Sequence, residues 1–304
     1  LQSMWAQASP TVSVYYGKGA SLSELALFDI SVIESEHGYD PVAYRKAWPS
    51  SELYAYASVA EAGLERKYFA KIPEAWKMAR NGAWNSIVID QTPEQWPTFF
   101  ADEVIAPLWN KGYRGFFLDT MDSYRLAEKF NEEDQQAGLV RVIKKLNERF
   151  PGIKLILNRG FEIVPRVRDQ IQMVAAESTF RGWNASAKRY VDVPPQDREW
   201  LLGQLQTISK RDKLPVLSID YVPPHDREAM RETAKKIDEL GIIPWVTDAD
   251  LNTLGMGLVE AKARRVLILH NGAEAPTLNK TAPHRFLEMP LNYLGYIADY
   301  ADIR

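Results

Sequence analysis

Two acidic residues are singled out by what precedes them. Asp119 follows Phe116-Phe117-Leu118, and Glu177 follows Met173-Val174-Ala175-Ala176, each directly after an uninterrupted apolar run. A carboxylate at the end of such a run is desolvated unless it is paired, and desolvation raises its pKa toward the range a general acid needs near neutral pH. Two carboxyls facing each other across one cavity can cleave a glycosidic bond. One protonates the leaving oxygen, while the other attacks the anomeric carbon or activates water. The competing reading of each residue is a structural salt bridge.

Other chemistries find less support. His37, His225, His270 and His284 show no HExxH spacing, and no GxSxG elbow or cysteine occurs. Among the central strand ends only Lys18 offers an amine for a Schiff base. The first strand leads into Gly17-Lys18-Gly19-Ala20-Ser21, neither a dinucleotide fingerprint nor a P-loop. A carboxylate-only Mg²⁺ site, as in enolising barrels, stays open.

The elements that must position these residues recur along the chain. Nine short runs rich in β-branched and aromatic residues read as strands: 12–16, 30–33, 53–58, 86–89, 115–118, 154–157, 173–176, 216–219 and 243–246. Between them, 131–150, 194–213 and 226–240 read as helices. The second keeps Trp200, Leu201, Leu205 and Ile208 on one face, and the third stops at Gly241. Alternating strands and helices over about 240 residues predict an α/β fold, a (β/α)8 TIM-type barrel with a short C-terminal βα extension. The barrel is expected over residues 10–262. Residues 263–304 are expected either to open a following α/β domain or to pack as an extension. There Arg264-Arg265 precede the strand VLILH, and 291–300 reads as an amphipathic helix.

In a barrel of this kind the reactive groups sit on the loops after the strands' C-terminal ends. Those ends supply Tyr16, Lys18, Glu34, Glu36, Glu61, Asp90, Asp119, Asp122, Asn158, Arg159, Glu177, Asp220, Tyr221, Asp248 and Asp250. Asp90, ahead of Thr92-Pro93-Glu94, reads better as a helix cap. The remainder predicts an acidic mouth faced only by Lys18 and Arg159, which attracts a cationic ligand and binds it more weakly as salt is added. Tyr15, Tyr16, Tyr124, Trp183, Tyr221 and Trp245 are rim aromatics able to stack on sugar rings. With Asp119 and Glu177 on the fourth and sixth strands, one strand intervenes and the axes lie roughly 10 Å apart. Both the ~5 Å retaining and the ~6.5–9.5 Å inverting separations are then within reach.

Composition narrows the partners. With 37 basic and 40 acidic side chains in 304 residues the net charge is −3, which gives no footprint for nucleic acid. No apolar run approaches the ~20 residues of a membrane span. The lack of cysteine fits a periplasmic or secreted protein. LQSMWAQASP has neither basic nor apolar leader regions, so any signal peptide is expected to be gone.

The motif FLDTMDSY (Phe117–Tyr124), the strand SIVID ending at Asp90, the asparagine of KLILN and the run AAES ending at Ser178 carry a family likeness. Over about residues 10–260 the chain resembles the endo-α-1,4-polygalactosaminidase group of glycoside hydrolases. The resemblance implies a (β/α)8 barrel that cuts α-1,4-linked galactosamine and N-acetylgalactosamine exopolysaccharide internally, without cofactor or metal. It places catalytic duty on Asp119 and Glu177, in a periplasmic setting beside other exopolysaccharide secretion proteins. A retaining double displacement is expected, with Asp119 as nucleophile and Glu177 as acid/base. Tyr16, Asp122, Tyr124, Asn158, Tyr221 and Asp248 are the expected sugar contacts. Two rival readings stay open: a non-catalytic polysaccharide-binding barrel, which would release no reducing ends, and a Mg²⁺-dependent lyase or isomerase, which a chelator would silence.

Overall fold

The computed structural model describes residues 9–261 and 265–304. The leader reading at 1–8, Arg264 and the expected boundary at 262/263 lie outside the described residues. Among the described residues no helix is long and apolar enough to cross a membrane.

Eight parallel strands lie side by side in chain order, forming a (β/α)8 barrel: β1 Val12–Tyr15, β2 Ile30–Ile33, β3 Glu52–Ser58, β4 Gly115–Asp119, β5 Lys154–Asn158, β6 Met173–Glu177, β7 Val216–Tyr221 and β8 Ile243–Thr247. The register pairs Ser58 with Asp119, Asn158 with Ala175 and Glu177 with Ile219, so the C-terminal ends share one rim. Every second residue of the central strands (Ala55 and Ala57, Phe116 and Leu118, Leu155 and Leu157, Val174 and Ala176) joins the apolar cluster beneath the helices. The two-residue period therefore turns Tyr54 and Tyr56, Phe117 and Asp119, Ile156 and Asn158, and Ala175 and Glu177 into the barrel. Gly115 makes room at the opposite end, where a Cβ would fall 2.3 Å from the Tyr54 ring. At the seam between β8 and β1, the Trp245 indole N–H donates to the Val14 carbonyl at 2.9 Å. Val246 exchanges two 2.7 Å backbone bonds with Met256.

The helices follow their caps. α1 (Pro41–Ala47) starts on Asp40, whose carboxylate accepts from the N–H groups of Val42 and Ala43. α2 (Glu132–Arg149) starts on Asn131, carries Glu132, Glu133 and Asp134 in its first turn, and buries Leu139, Val142, Ile143 and Leu146. α3 (Pro195–Thr207) runs on into a π-helical turn, Ile208–Asp212, before the left-handed Lys213. Leu201, Leu205 and Ile208 are buried there, but Trp200 is 48% exposed. It sits one residue, about 100°, off that stripe and packs edge to face with Phe161 at 5.9 Å. α4 (Arg227–Asp238) is capped by Asp226 and ends before the left-handed Gly241.

Two expected elements differ. Ser86–Ile89 is not a barrel strand; it pairs antiparallel with Glu61–Gly63 and Lys77–Asn81 in a separate three-stranded sheet after β3. Only residues 82–85 separate it from its neighbour, far too few for a parallel crossover, so a hairpin is the one connection available. In the compact unit Ala261–Arg304, the segment 291–300 is not one helix. The helix Ala282–Tyr293 gives way to the left-handed Gly295, and Ile297–Asp302 forms a second strand parallel to Arg265–His270.

Candidate active site

β4, β5 and β6 bring three side chains together on the inner face of the rim. The Asn158 amide nitrogen donates to Asp119 Oδ1 at 2.8 Å and to Glu177 Oε1 at 2.9 Å. With the two N–H bonds of an amide about 120° apart, those oxygens lie about 5 Å from each other. The outer oxygens are held by tyrosines: the Tyr56 hydroxyl donates to Asp119 Oδ2 at 3.0 Å, and the Tyr221 hydroxyl to Glu177 Oε2 at 2.6 Å. Tyr16, one residue beyond β1, packs edge to face on Tyr56 at 5.2 Å.

Desolvation pushes both carboxyls above their ordinary range. Asp119's charge raises Glu177 further, while the bonds from Tyr221 and Asn158 pull it down. For Asp119 the opposing donors are the Thr120 backbone, Asn158 and Tyr56, and the charge of Glu61 adds to the rise. Burial likewise pushes up the Tyr16, Tyr56 and Tyr221 phenols. Each carboxyl therefore favours its protonated form more than an exposed one does.

The backbone beside the pair is held in uncommon conformations. Thr120, directly after Asp119, has φ +65°, a cost for a β-branched residue. Its hydroxyl offsets that cost with bonds to Ser58 Oγ and the Ala60 N–H, both at 2.9 Å. Arg159, after Asn158, also has φ +65°, and its guanidinium donates to the Glu177 carbonyl at 2.7 Å. Asp220 is fully buried on the outer face of β7. It accepts from the backbone N–H groups of Thr179, Phe180 and Arg181 at 3.0, 2.6 and 2.7 Å, clamping the chain just beyond Glu177.

The structure sorts the expected sugar contacts. Tyr16, Asn158 and Tyr221 lie at the pair, Asn158 and Tyr221 through the carboxyls themselves. Asp122 stands beside it, 3.7 Å from Arg159. Tyr124 does not line the mouth: it is 1% exposed, in the apolar core against Phe130, because the turn after Asp122 folds it back under the rim. Asp248 is also turned away from a ligand. Its carboxylate accepts from the backbone of Asp250, Asn252 and Thr253 and so organises its own loop. Trp245 is fully buried, and the Tyr15 hydroxyl accepts from Gly19 and Ala20; neither is free to stack on a sugar.

The mouth is less acidic than its residue count predicts. Arg66, from the loop after β3, lies 2.8 Å from Glu34, with Glu36 and Glu65 at 3.8 and 3.4 Å. Glu61 is buried, accepting from Ser86, from Ser123 at 2.5 Å and from Asn81. Asp90 accepts from the Thr92 N–H and from Gln135. Tyr56 lies inside β3, two residues before its end, whereas the strand-end carboxylate of that segment is Glu61. The alternation Tyr54, Tyr56 was the signal, since it puts the last inward side chain two residues before the end.

A parallel barrel with two carboxyls about 5 Å apart, on inward positions of strands with one strand between them, has the architecture of a glycoside hydrolase and a carboxyl spacing that such chemistry can use. Residues 2–262 match the model of glycoside-hydrolase family GH114, and the chain belongs to that family. Among solved structures it is similar to the glycoside hydrolase domain of PelA from Pseudomonas aeruginosa, at 36% identity and TM-score 0.74, over 82% of this chain and 98% of that one. The fold is shared with Ega3 from Aspergillus fumigatus, solved in complex with galactosamine, at 12% identity and TM-score 0.60, over 84% of this chain and 98% of that one. No curated protein matches the chain.

Proposed function

We propose that this glycoside hydrolase cuts α-1,4-linked galactosamine and N-acetylgalactosamine exopolysaccharide of the Pel type internally, by a retaining double displacement. The observation that carries the mechanism is the single amide nitrogen bonded to both carboxyls, which corresponds to the ~5–5.5 Å of retaining enzymes rather than the ~6.5–9.5 Å of inverting ones. Asp119, with donors from Tyr56, Asn158 and the Thr120 backbone, is the better stabilised anion and serves as nucleophile. Glu177, raised by that anion, retains the proton and serves as acid. Glu177 gives its proton to the glycosidic oxygen as Asp119 attacks the anomeric carbon. The bond to the departing chain breaks and a glycosyl ester forms on Asp119. Glu177, now ionised, takes a proton from water, whose oxygen attacks the same carbon and releases Asp119. The ammonium groups of a partly deacetylated polymer suit the anionic Asp119, and the relationship to PelA supports the same substrate class. On this reading the activity resides in residues 10–262, residues 263–304 open a further α/β domain or pack as an extension, and the setting is the periplasm, beside exopolysaccharide secretion proteins.

The test uses Asp119→Asn and Glu177→Gln on a partly acetylated α-1,4-galactosamine polymer, with reducing ends counted and the first-formed anomer followed by proton NMR. Each variant is expected to lose about 10³-fold or more in kcat, and the wild-type product to appear first as the α anomer. Near-wild-type cleavage by either variant overturns its assignment, and a β product overturns retention.

A further inference from the structure

Asn158 lies on the strand between the two carboxyl-bearing strands, 6% exposed, and its amide nitrogen is the only atom among the described hydrogen bonds shared by Asp119 and Glu177. Its Oδ1, buried as well, has no hydrogen-bond partner among the described residues, so the carboxyls and not the oxygen dictate which way the amide faces. Turned over, it would present an acceptor to two acceptors. Resting on the catalytic roles assigned above, we propose that Asn158 is a positioning residue: it fixes the separation of the pair and, because its NH2 can only donate, keeps the two facing oxygens unprotonated, so that the acid proton is carried on the tyrosine-facing oxygen of Glu177.

A proton on Oε1 would face the Asn158 N–H, donor against donor, and would cost the amide bond that holds Glu177 to the pair. Confined to Oε2, whose oxygen lies 2.6 Å from that of Tyr221, it keeps a partner, because a hydroxyl, unlike an NH2, can turn to accept. Both amide bonds also favour the charged carboxylates, so they lower both ionisations of the pair. Other titratable and charged groups around the pair include Tyr16 from the end of β1, Tyr56 on β3, Glu61 after β3, Asp122 after β4, Arg159 after β5 and Tyr221 on β7, with Glu34 acting on Tyr16 and its partner Arg66 on Tyr56. None of these donates to both carboxyls, so their presence does not replace the amide.

The experiment measures kcat, KM and the pH profile of polymer cleavage for Asn158→Ala and the isosteric Asn158→Asp, with thermal unfolding as the check on folding. Asn158→Ala is expected to lower kcat by about 10²-fold, with KM changed by less than about threefold, because positioning acts on the transition state more than on binding. Both limbs of the profile move to higher pH, since the donor that favoured the ionised forms is gone. Asn158→Asp keeps the shape, removes the double donor and adds a third acid, so its limbs move the same way. A merely structural role would reduce activity equally at every pH and leave the limbs in place. If either folded variant keeps wild-type limbs while Asp119→Asn and Glu177→Gln are inactive, the positioning role is overturned and the catalytic assignment stands. If the two carboxyl variants remain active, it is the catalytic assignment that falls.

Discussion

Tyr221→Phe isolates one hydrogen bond of the acid. It deletes the hydroxyl 2.6 Å from Glu177 Oε2 and leaves the ring that fills the rim of β7. A hydrogen bond to a charged acceptor is worth about 1.5–3 kcal/mol and one to a neutral acceptor about 0.5–1.5 kcal/mol. The ionised form of Glu177 therefore loses about 1–1.5 kcal/mol more than the protonated form, close to one pKa unit. The sign follows from the bond: Tyr221 pulls the Glu177 pKa down, so removing the hydroxyl lets it rise. Glu177 must be protonated to act as acid, and its ionisation sets the alkaline limb of kcat/KM. That limb is expected to move up by about one pH unit, while the acid limb, set by Asp119, stays within a few tenths. The assay is reducing-end release over pH 4–10 at substrate concentrations well below KM. An alkaline limb that stays put, or moves down, would refute the assignment of Glu177 as the acid under Tyr221's control.

Two further outcomes concern stability. Because desolvation raises Asp119 and Glu177 in the folded state, with the charge of Glu61 adding to the first and that of Asp119 to the second, ionising them costs stability, and the cost grows as pH rises from the unfolded carboxyl range through the raised folded values. Asp119→Asn is therefore expected to unfold about 2–4 °C higher at pH 7, for about 1 kcal/mol. That gain should vanish near pH 4; equal melting temperatures at both pH values would count against the buried-charge account. Asp220→Ala leaves one buried and two half-buried backbone N–H groups without their acceptor and is expected to cost about 3 kcal/mol in urea unfolding.

How much of this could be read from residues alone divides along a physical line. The apolar runs ending in Asp119 and Glu177 were legible because local composition records burial on both faces of a strand, and the run-and-helix rhythm records a parallel barrel. Ser86–Ile89 has the same composition as a barrel strand, yet a four-residue connection makes it part of a hairpin. Composition reports burial but not pairing partner. The sequence likewise names every carboxyl near the strand ends, but Glu34 finds Arg66, Glu61 finds two serines and Asp248 finds its own backbone only when distant segments meet. Asn158 and Tyr221 stand out in the sequence only as strand-end residues able to touch a sugar, and Tyr56 does not stand out at all. Barrel closure and register carry them to within 3 Å of one pair of carboxyls, since hydrogen bonds depend on distance in space and sequence separation imposes no such distance.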